Sequence, residues 1–406
     1  MKRVLLTVAL CVAASSASFA QKKAVNEALS IAKSTNADFG EARTLIKGAL
    51  ENPETKNDAK TWFVAGFIED QQFNAEKTKL VLGQQPNEAV MYQAVGAVLP
   101  YFKTAYDLDQ KPNEKGKIKP KYSKDIKGIL GTNHVDMFNG AAYYFEQKDY
   151  KKAYDLFNQY IEVAELPMFE GTPTATKDST YMMVQYYAAI SATQLGDPKI
   201  TIAALERAKN SEYKQNDIYQ YLCYEYEQAQ DTVSLEKILE EGMVKFPEEP
   251  YYIMKLINTY IYSNRNKEAL EYLHIAIQKD PNNVNLYNVL GHVYERGFKD
   301  YAKAEENYKK AFEIDANSVE ALSNLGRIYF NQGVDKQSEA NMINDSKKYQ
   351  EELNKAKDFF KQALPFYEKA HQAKPDEKEY MIALRGIYYN LNMGPELEAI
   401  EAQMNE

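Results

Sequence analysis

Residues 253–281 read IMKLINTYIYSNRNKEALEYLHIAIQKDP, and residues 287–316 read YNVLGHVYERGFKDYAKAEENYKKAFEIDA. In the first stretch Ile253, Leu256, Ile257 and Tyr260 fall at i, i+3, i+4 and i+7, one face of a helix. Ala269, Leu273 and Ala276 give a second face, and Pro281 closes it because proline has no N–H with which to continue a helix. The unit before repeats the plan: Tyr219, Leu222, Cys223 and Tyr226, then Leu235, Leu239 and Gly242, then Pro247, 34 residues ahead of Pro281. The unit after has Tyr287, Leu290, Gly291 and Tyr294, followed by Ala304, Tyr308 and Ala311. Its second half arrives one residue late, and Ala316 stands where the proline would be. A fourth unit opens with Leu322, Leu325, Gly326 and Tyr329. One such helix pair cannot cover its own apolar face, so recurrence at this interval predicts at least three pairs stacked on one another.

Weaker copies run outward from this centre. Gln185, Ala188, Ala189 and Ala192 lead to Leu205 and Ala208, and Met137, Gly140, Ala141 and Tyr144 lead to Ala153 and Phe157. In that second copy Tyr160 occupies a place that calls for a small residue. Near the start, Ala42, Ile46 and Ala49 match a second helix, and Trp62, Ala65 and Gly66 match a first helix with the tryptophan in the core. Near the end, Ile382, Gly386 and Tyr389 open a last helix, with a closing cap over 395–404.

The pattern resembles the tetratricopeptide repeat, two antiparallel helices in about 34 residues, in an exported protein of bacterial type. The resemblance covers most of 24–406 and is sharpest over 219–316. It implies an all-α, right-handed solenoid of stacked helix hairpins. Two units depart from the plain repeat. After Trp62 the second helix comes only at Val98, Phe102 and Ala105; after Tyr329 it comes only at Ala363, Tyr367 and Ala370. Both delayed helices hold Leu-Pro, at Leu99-Pro100 and Leu364-Pro365, with apolar residues running straight into them. Two long, kinked helices passing through those prolines are therefore expected. The chain divides into a leader (1–20), a first repeat-like unit with a long helix (24–110), a Lys-rich linker (111–127), and an array (128–406) with a helical insertion at 334–362 and a C-terminal capping helix. The linker holds seven lysines from Lys111 to Lys127 and reads as a solvated loop, or else as a contact for an acidic partner or anionic lipid.

The leader has the parts of a secretory signal. Lys2 and Arg3 precede an apolar run from Val4 to Ala14, and Ser18-Phe19-Ala20 offers small residues for cleavage before Gln21. A spanning anchor needs about 20 apolar residues, more than this run supplies. Leu10 is too large to precede a lipidated Cys11. The expected address is periplasmic or secreted, with no transmembrane segment and with peripheral association with the envelope.

Composition excludes several classes. The 406 residues carry a formal charge of −9, which argues against a general nucleic-acid binder. At 45% hydrophobic and 26% charged, the chain is an ordinary globular one rather than a disordered one. With Cys11 in the leader, Cys223 is a lone thiol on a packing position, so no disulfide framework is expected. His134, His274, His292 and His371 are far apart in sequence, and no zinc, phosphate-loop or nucleophile-elbow motif is present. Asp107 and Asp109 begin like a calcium loop, but Lys111 occupies the third ligand position. No catalytic residue, metal or cofactor is expected, and the chain reads as not an enzyme.

What remains is surface. In the resembled family the first helix of each unit lines the concave groove. Carried over, the exposed groove positions are Gln220, Tyr224, Asn258, Tyr262, Asn288, His292, Arg327 and Phe330. Aromatic and Arg side chains are enriched at protein interfaces. The family's clamp for acidic C-termini needs Lys or Arg where this chain has Gln220, Met254, Asn288 and Ser323, so that clamp is not expected. The reading is a non-enzymatic scaffold of the bacterial cell envelope that binds a protein partner through its groove and long helices. The alternative is a glycan- or small-ligand-binding protein of an outer-membrane nutrient-uptake system, using Tyr224, Tyr262 and Phe330.

Overall fold

The structure is a computed structural model that describes residues 21–113 and 115–405. The leader read at 1–20 lies outside the described residues. Among the described residues all regular structure is helical, as expected of an all-α chain. The fold forms two compact units, one ending at Leu235 and one beginning at Glu236.

The first unit runs through α1 (21–32), α2 (Phe39–Glu51), α3 (Ala59–Val81), α4 (Glu88–Asp109), α5 (Ser123–Glu146), α6 (Tyr150–Glu165), α7 (Ser179–Thr193), α8 (Pro198–Ala208) and α9 (Gln215–Gln228), with α10 (Thr232–Lys245) spanning the division. Most of these helices begin at an acceptor side chain. Asp38, Asp58, Asn87, Asp149, Asp178 and Asp197 each accept an N–H from the first turn, filling an acceptor role that an isolated helix start leaves open. From α2 to α9 each helix packs on the next, and α4 also touches α6. Ala42, Ile46 and Ala49 are buried on α2, as their spacing predicts. Trp62 is half-buried rather than fully in the core, because its indole N–H reaches out to the Lys56 carbonyl at 2.7 Å.

The long helix through Pro100 exists as a continuous 22-residue element. Pro100 cannot return an N–H to the carbonyl of Gly96, four residues back. The side chain of Gln159 on α6 supplies one instead, its Nε2 donating to the Gly96 oxygen at 2.8 Å. The first helix of this pair is long too: α3 has 23 residues, so the delay in the sequence lengthens both members of the hairpin. Tyr160, too large for its place, is housed by His134. The two rings stack with centroids 3.8 Å apart, and His134 Nε2 donates to the Tyr160 carbonyl at 2.9 Å.

The expected boundary at 111–127 is not where the structure divides. α4 packs on both α5 and α6, so the unit continues past the lysines to Leu235. The loop is also shorter than expected, since α5 starts at Ser123 and takes in Lys124 and Lys127. Asp109 causes this. Its carboxylate accepts the N–H groups of Lys121, Tyr122 and Ser123 at 2.8–2.9 Å, plus the Ser123 hydroxyl at 2.8 Å. Burial alone would raise the Asp109 pKa, but these hydrogen bonds hold it below the ordinary carboxylate range.

The second unit continues with α11 (Pro250–Tyr262), α12 (Asn266–Lys279), α13 (Val284–His292), α14 (Tyr301–Ile314), α15 (Val319–Ala340), α16 (Ser346–Ala373), α17 (Lys378–Leu391) and α18 (Gly394–Met404). The starts of α11 and α13 are separated by the expected 34 residues. Alternate first helices touch, α13 with α15 and α15 with α17. Leu256, Ala269, Leu273 and Ala276 are buried as predicted. Small residues admit rings. A Cβ on Gly291 would lie 2.4 Å from the ring of Tyr308, and one on Gly326 would lie 2.8 Å from that of Tyr367. The insertion at 334–362 is made by α15 running on to Ala340 and by the 28-residue α16, which passes unbroken through an exposed Pro365. The closing helix is α18, starting at Gly394.

The one-residue delay between Tyr287 and Ala304 has a physical form. After His292 the chain widens into a π-helical turn over Val293–Phe298, which takes in one more residue than an α turn. Lys299 then leaves in the left-handed region at φ +54°.

Candidate functional site

The first helices α11, α13 and α15 carry the candidate residues of the second unit. Their i, i+4 spacing puts Asn258 with Tyr262, and Asn288 with His292, on single helix faces. The structure separates these residues into two kinds. Asn258 is exposed and Tyr262 is 86% exposed. His292 is half-buried. Asn288 is fully buried, so it is not the exposed groove position that the carry-over made it. Phe330 is half-buried and packed: its ring lies 5.6 Å from Phe360 and 6.5 Å from Tyr367. The insertion brought Phe360 there, which the repeat pattern alone could not show. In the first unit, Gln220 is half-buried and Tyr224 is 55% exposed on α9.

Arg327 is likewise engaged. Only 18% of its side chain is exposed, and its guanidinium pairs with the buried carboxylate of Glu295. Its Nη2 also donates to Asn324 Oδ1 at 2.9 Å. Tyr308 donates its hydroxyl to the other Glu295 oxygen at 2.7 Å. Burial and the Glu295 charge push the Tyr308 phenol well above its ordinary pKa. Asn324 Nδ2 passes the chain on to Asn288 Oδ1 at 3.3 Å, leaving Asn288 Nδ2 buried without a partner. Arg327 and Asn288 therefore hold α13, α14 and α15 together from inside.

Beside this network is a cavity of about 500 Å³ between α11 and α13. Asn258, Asn264 and Asn266 line one side; Val289, His292 and Arg296 line the other. Of the expected residues, Asn258 and His292 are thus brought together. Burial, then the nearby Arg327 charge, holds the His292 pKa below the ordinary imidazole value, so the ring is neutral near pH 7. Arg296 is exposed and has no ion-pair partner among the described residues. Sequence reasoning missed Glu295, Arg296 and the two further asparagines. The available signal was the late second half of that repeat, because the wide turn it forces is what turns Glu295 inward and leaves Arg296 outside. Among the described residues no group of three or more His, Cys, Asp or Glu side chains is placed to hold a metal ion. No helix among them is long and apolar enough to cross a membrane.

Paired helices at this interval, with glycines receiving the rings of the partner helix, are the arrangement that the tetratricopeptide-repeat fold is built from. The family described as TPR repeat matches residues 299–333 directly. Anaphase-promoting complex subunit 3 of Schizosaccharomyces pombe is 23% identical over 249 residues, 57% of this chain. The match spans about a third of that relative, 35% of its length. Among solved structures, the C-terminal part of a TPR repeat-containing protein from Cytophaga hutchinsonii is 15% identical, covering 66% of this chain and 93% of its own, with a TM-score of 0.43. YrrB, described as a TPR protein with an unusual peptide-binding site, is 15% identical, covering 50% of this chain and 95% of its own, with a TM-score of 0.33.

Proposed function

We propose that this chain is a non-enzymatic scaffold, exported to the cell envelope, that holds a protein partner along the first helices of its second unit. The supporting observation is the cavity between α11 and α13. Its asparagines, its neutral imidazole and its unpaired guanidinium surround an apolar floor of Ile261, Val289 and Val293. A few convergent polar groups over an apolar base are what a binding site for a peptide side chain and its backbone requires. Tyr262 stands at the same face, exposed and ready to be covered. Export rests on the charged, apolar and small-residue segments of 1–20.

Site-specific photocrosslinking in intact cells tests the binding face. A crosslinker at Tyr262 is expected to capture a defined partner, while one at Val244, 78% exposed on α10, is the control. Equal capture at both positions overturns the choice of face. Cell fractionation with N-terminal sequencing tests the address: the expected mature protein begins at Gln21 outside the cytoplasm.

A further inference from the structure

We propose that the cavity between α11 and α13 selects an extended peptide segment bearing one carboxylate beside a small aliphatic side chain, with Arg296 as the residue that reads the charge. This inference rests on the groove reading above and names its ligand class. The cavity has a single uncompensated charge. Arg296 lines it, and Arg265, next in sequence to two of its asparagines but not in its lining, is the contrast. Arg265 is held by Glu236 at 2.6 Å and Glu268 at 2.9 Å, whereas Arg296 has no acidic partner among the described residues. The nearest acid to Arg296 in sequence, Glu295, points inward and is consumed by Arg327 and Tyr308. A guanidinium presents a planar fork of donors that matches a carboxylate in two parallel hydrogen bonds.

The rest of the cavity fits the peptide around that carboxylate. The side-chain amides of Asn258, Asn264 and Asn266 have no hydrogen-bond partner among the described residues, so each offers a donor and an acceptor to extended backbone. Ile261, Val289 and Val293 leave room for a short aliphatic side chain. The site lies at the C-terminal ends of two first helices, where free carbonyls would repel an anion. Those carbonyls are largely closed. Arg265 N–H bonds the Tyr260 carbonyl at 2.8 Å, Asn264 N–H bonds that of Ile261 at 3.0 Å, and Asp300 N–H bonds that of Tyr294 at 2.9 Å. The whole chain carries −9, so an acidic peptide gains nothing from the average field and must be recognised locally.

The test uses the full chain and two fluorescein-labelled, C-terminally amidated dodecapeptides identical except for Val-Asp-Val or Val-Asn-Val at the centre. Anisotropy is expected to show the Asp peptide binding at least about tenfold tighter, the size of one charge-assisted hydrogen-bond pair. In Arg296→Gln that preference is expected to vanish, with the circular dichroism unchanged because the side chain is exposed. Asn258→Ala is expected to weaken both peptides alike. Equal binding of the two peptides, binding of neither at millimolar concentration, or an Asp preference that survives Arg296→Gln overturns the inference. The groove reading stands or falls separately: selective crosslinking at Tyr262 together with equal binding of the two peptides keeps the face and rejects the carboxylate.

Discussion

Gln159→Leu removes the N–H that the α6 side chain gives to the Gly96 carbonyl. That carbonyl has no helical donor because Pro100 has none to give. A fully buried acceptor left unpaired costs about 1–3 kcal/mol, and Gly96 is half-buried, which puts its share near about 1 kcal/mol. A second effect opposes it. Gln159 Oε1 is itself buried without a partner, so replacing it with carbon relieves a desolvation penalty of similar size. The single substitution therefore reads close to zero and decides nothing. Pro100→Ala separates the two effects, because residue 100 is already helical and its restored amide takes over the Gly96 carbonyl. In that background Gln159→Leu keeps the relief and the change in apolar contact, but loses the carbonyl cost. The two backgrounds should therefore differ by about 1 kcal/mol, with Gln159→Leu more harmful when Pro100 is present. Hydrogen exchange of the α4 amides across residues 94–105, read by mass spectrometry, measures this locally and does not require the two units to unfold together. A difference within about 0.3 kcal/mol of zero would refute the assignment of Gln159 as the surrogate donor.

Glu295→Gln should lower stability by about 3 kcal/mol, since it leaves the Arg327 guanidinium largely enclosed without its counter-charge; urea denaturation of the second unit's helices checks this, and a change below about 1 kcal/mol counts against a structural role. Gly291→Ala puts a methyl 2.4 Å from the Tyr308 ring and should cost about 1–3 kcal/mol despite the better helix propensity of alanine, measured as a fall in the thermal midpoint. His134 should make the first unit sensitive to acid. Burial lowers its pKa in the fold, so the unfolded chain takes up the proton first; stability should fall as pH drops below about 6.5 and level off once the folded-state value is passed. Urea midpoints from pH 7.5 to 5 check it, and His134→Gln should flatten the slope.

Most of the fold was legible because its signal is periodic. Leu256, Ala269 and Ala276 sit inside for the reason their spacing gave, and Leu-Pro within an apolar run located both long helices. The first-unit boundary was not legible. A run of lysines and breakers looks like a linker whether or not helices pack across it, and only the contacts of α4 with α5 and α6 show that they do. For the candidate positions, exposure was legible in part. Residue type and helix face identified Asn258, Tyr262 and His292, all of which reach the surface or the cavity. They misjudged Asn288 and Arg327, because whether a polar side chain faces outward depends on a partner far away in sequence, here Asn324 at 36 residues and Glu295 at 32.

An α-helix advances by about 100° with each residue. Slipping one extra amino acid into a packed helix would swing everything after it by that angle, taking Ala304 and Tyr308 off the seam they now fill. The wide turn at Val293–Phe298 swallows the extra residue before it can be transmitted. Later hairpins keep their rotational phase, and the cost of the irregularity is confined to six residues, of which Val293, Arg296 and Gly297 help to wall the cavity. Chain length can thus drift at this spot without dismantling the neighbours, and each such drift would redraw the wall that a ligand meets.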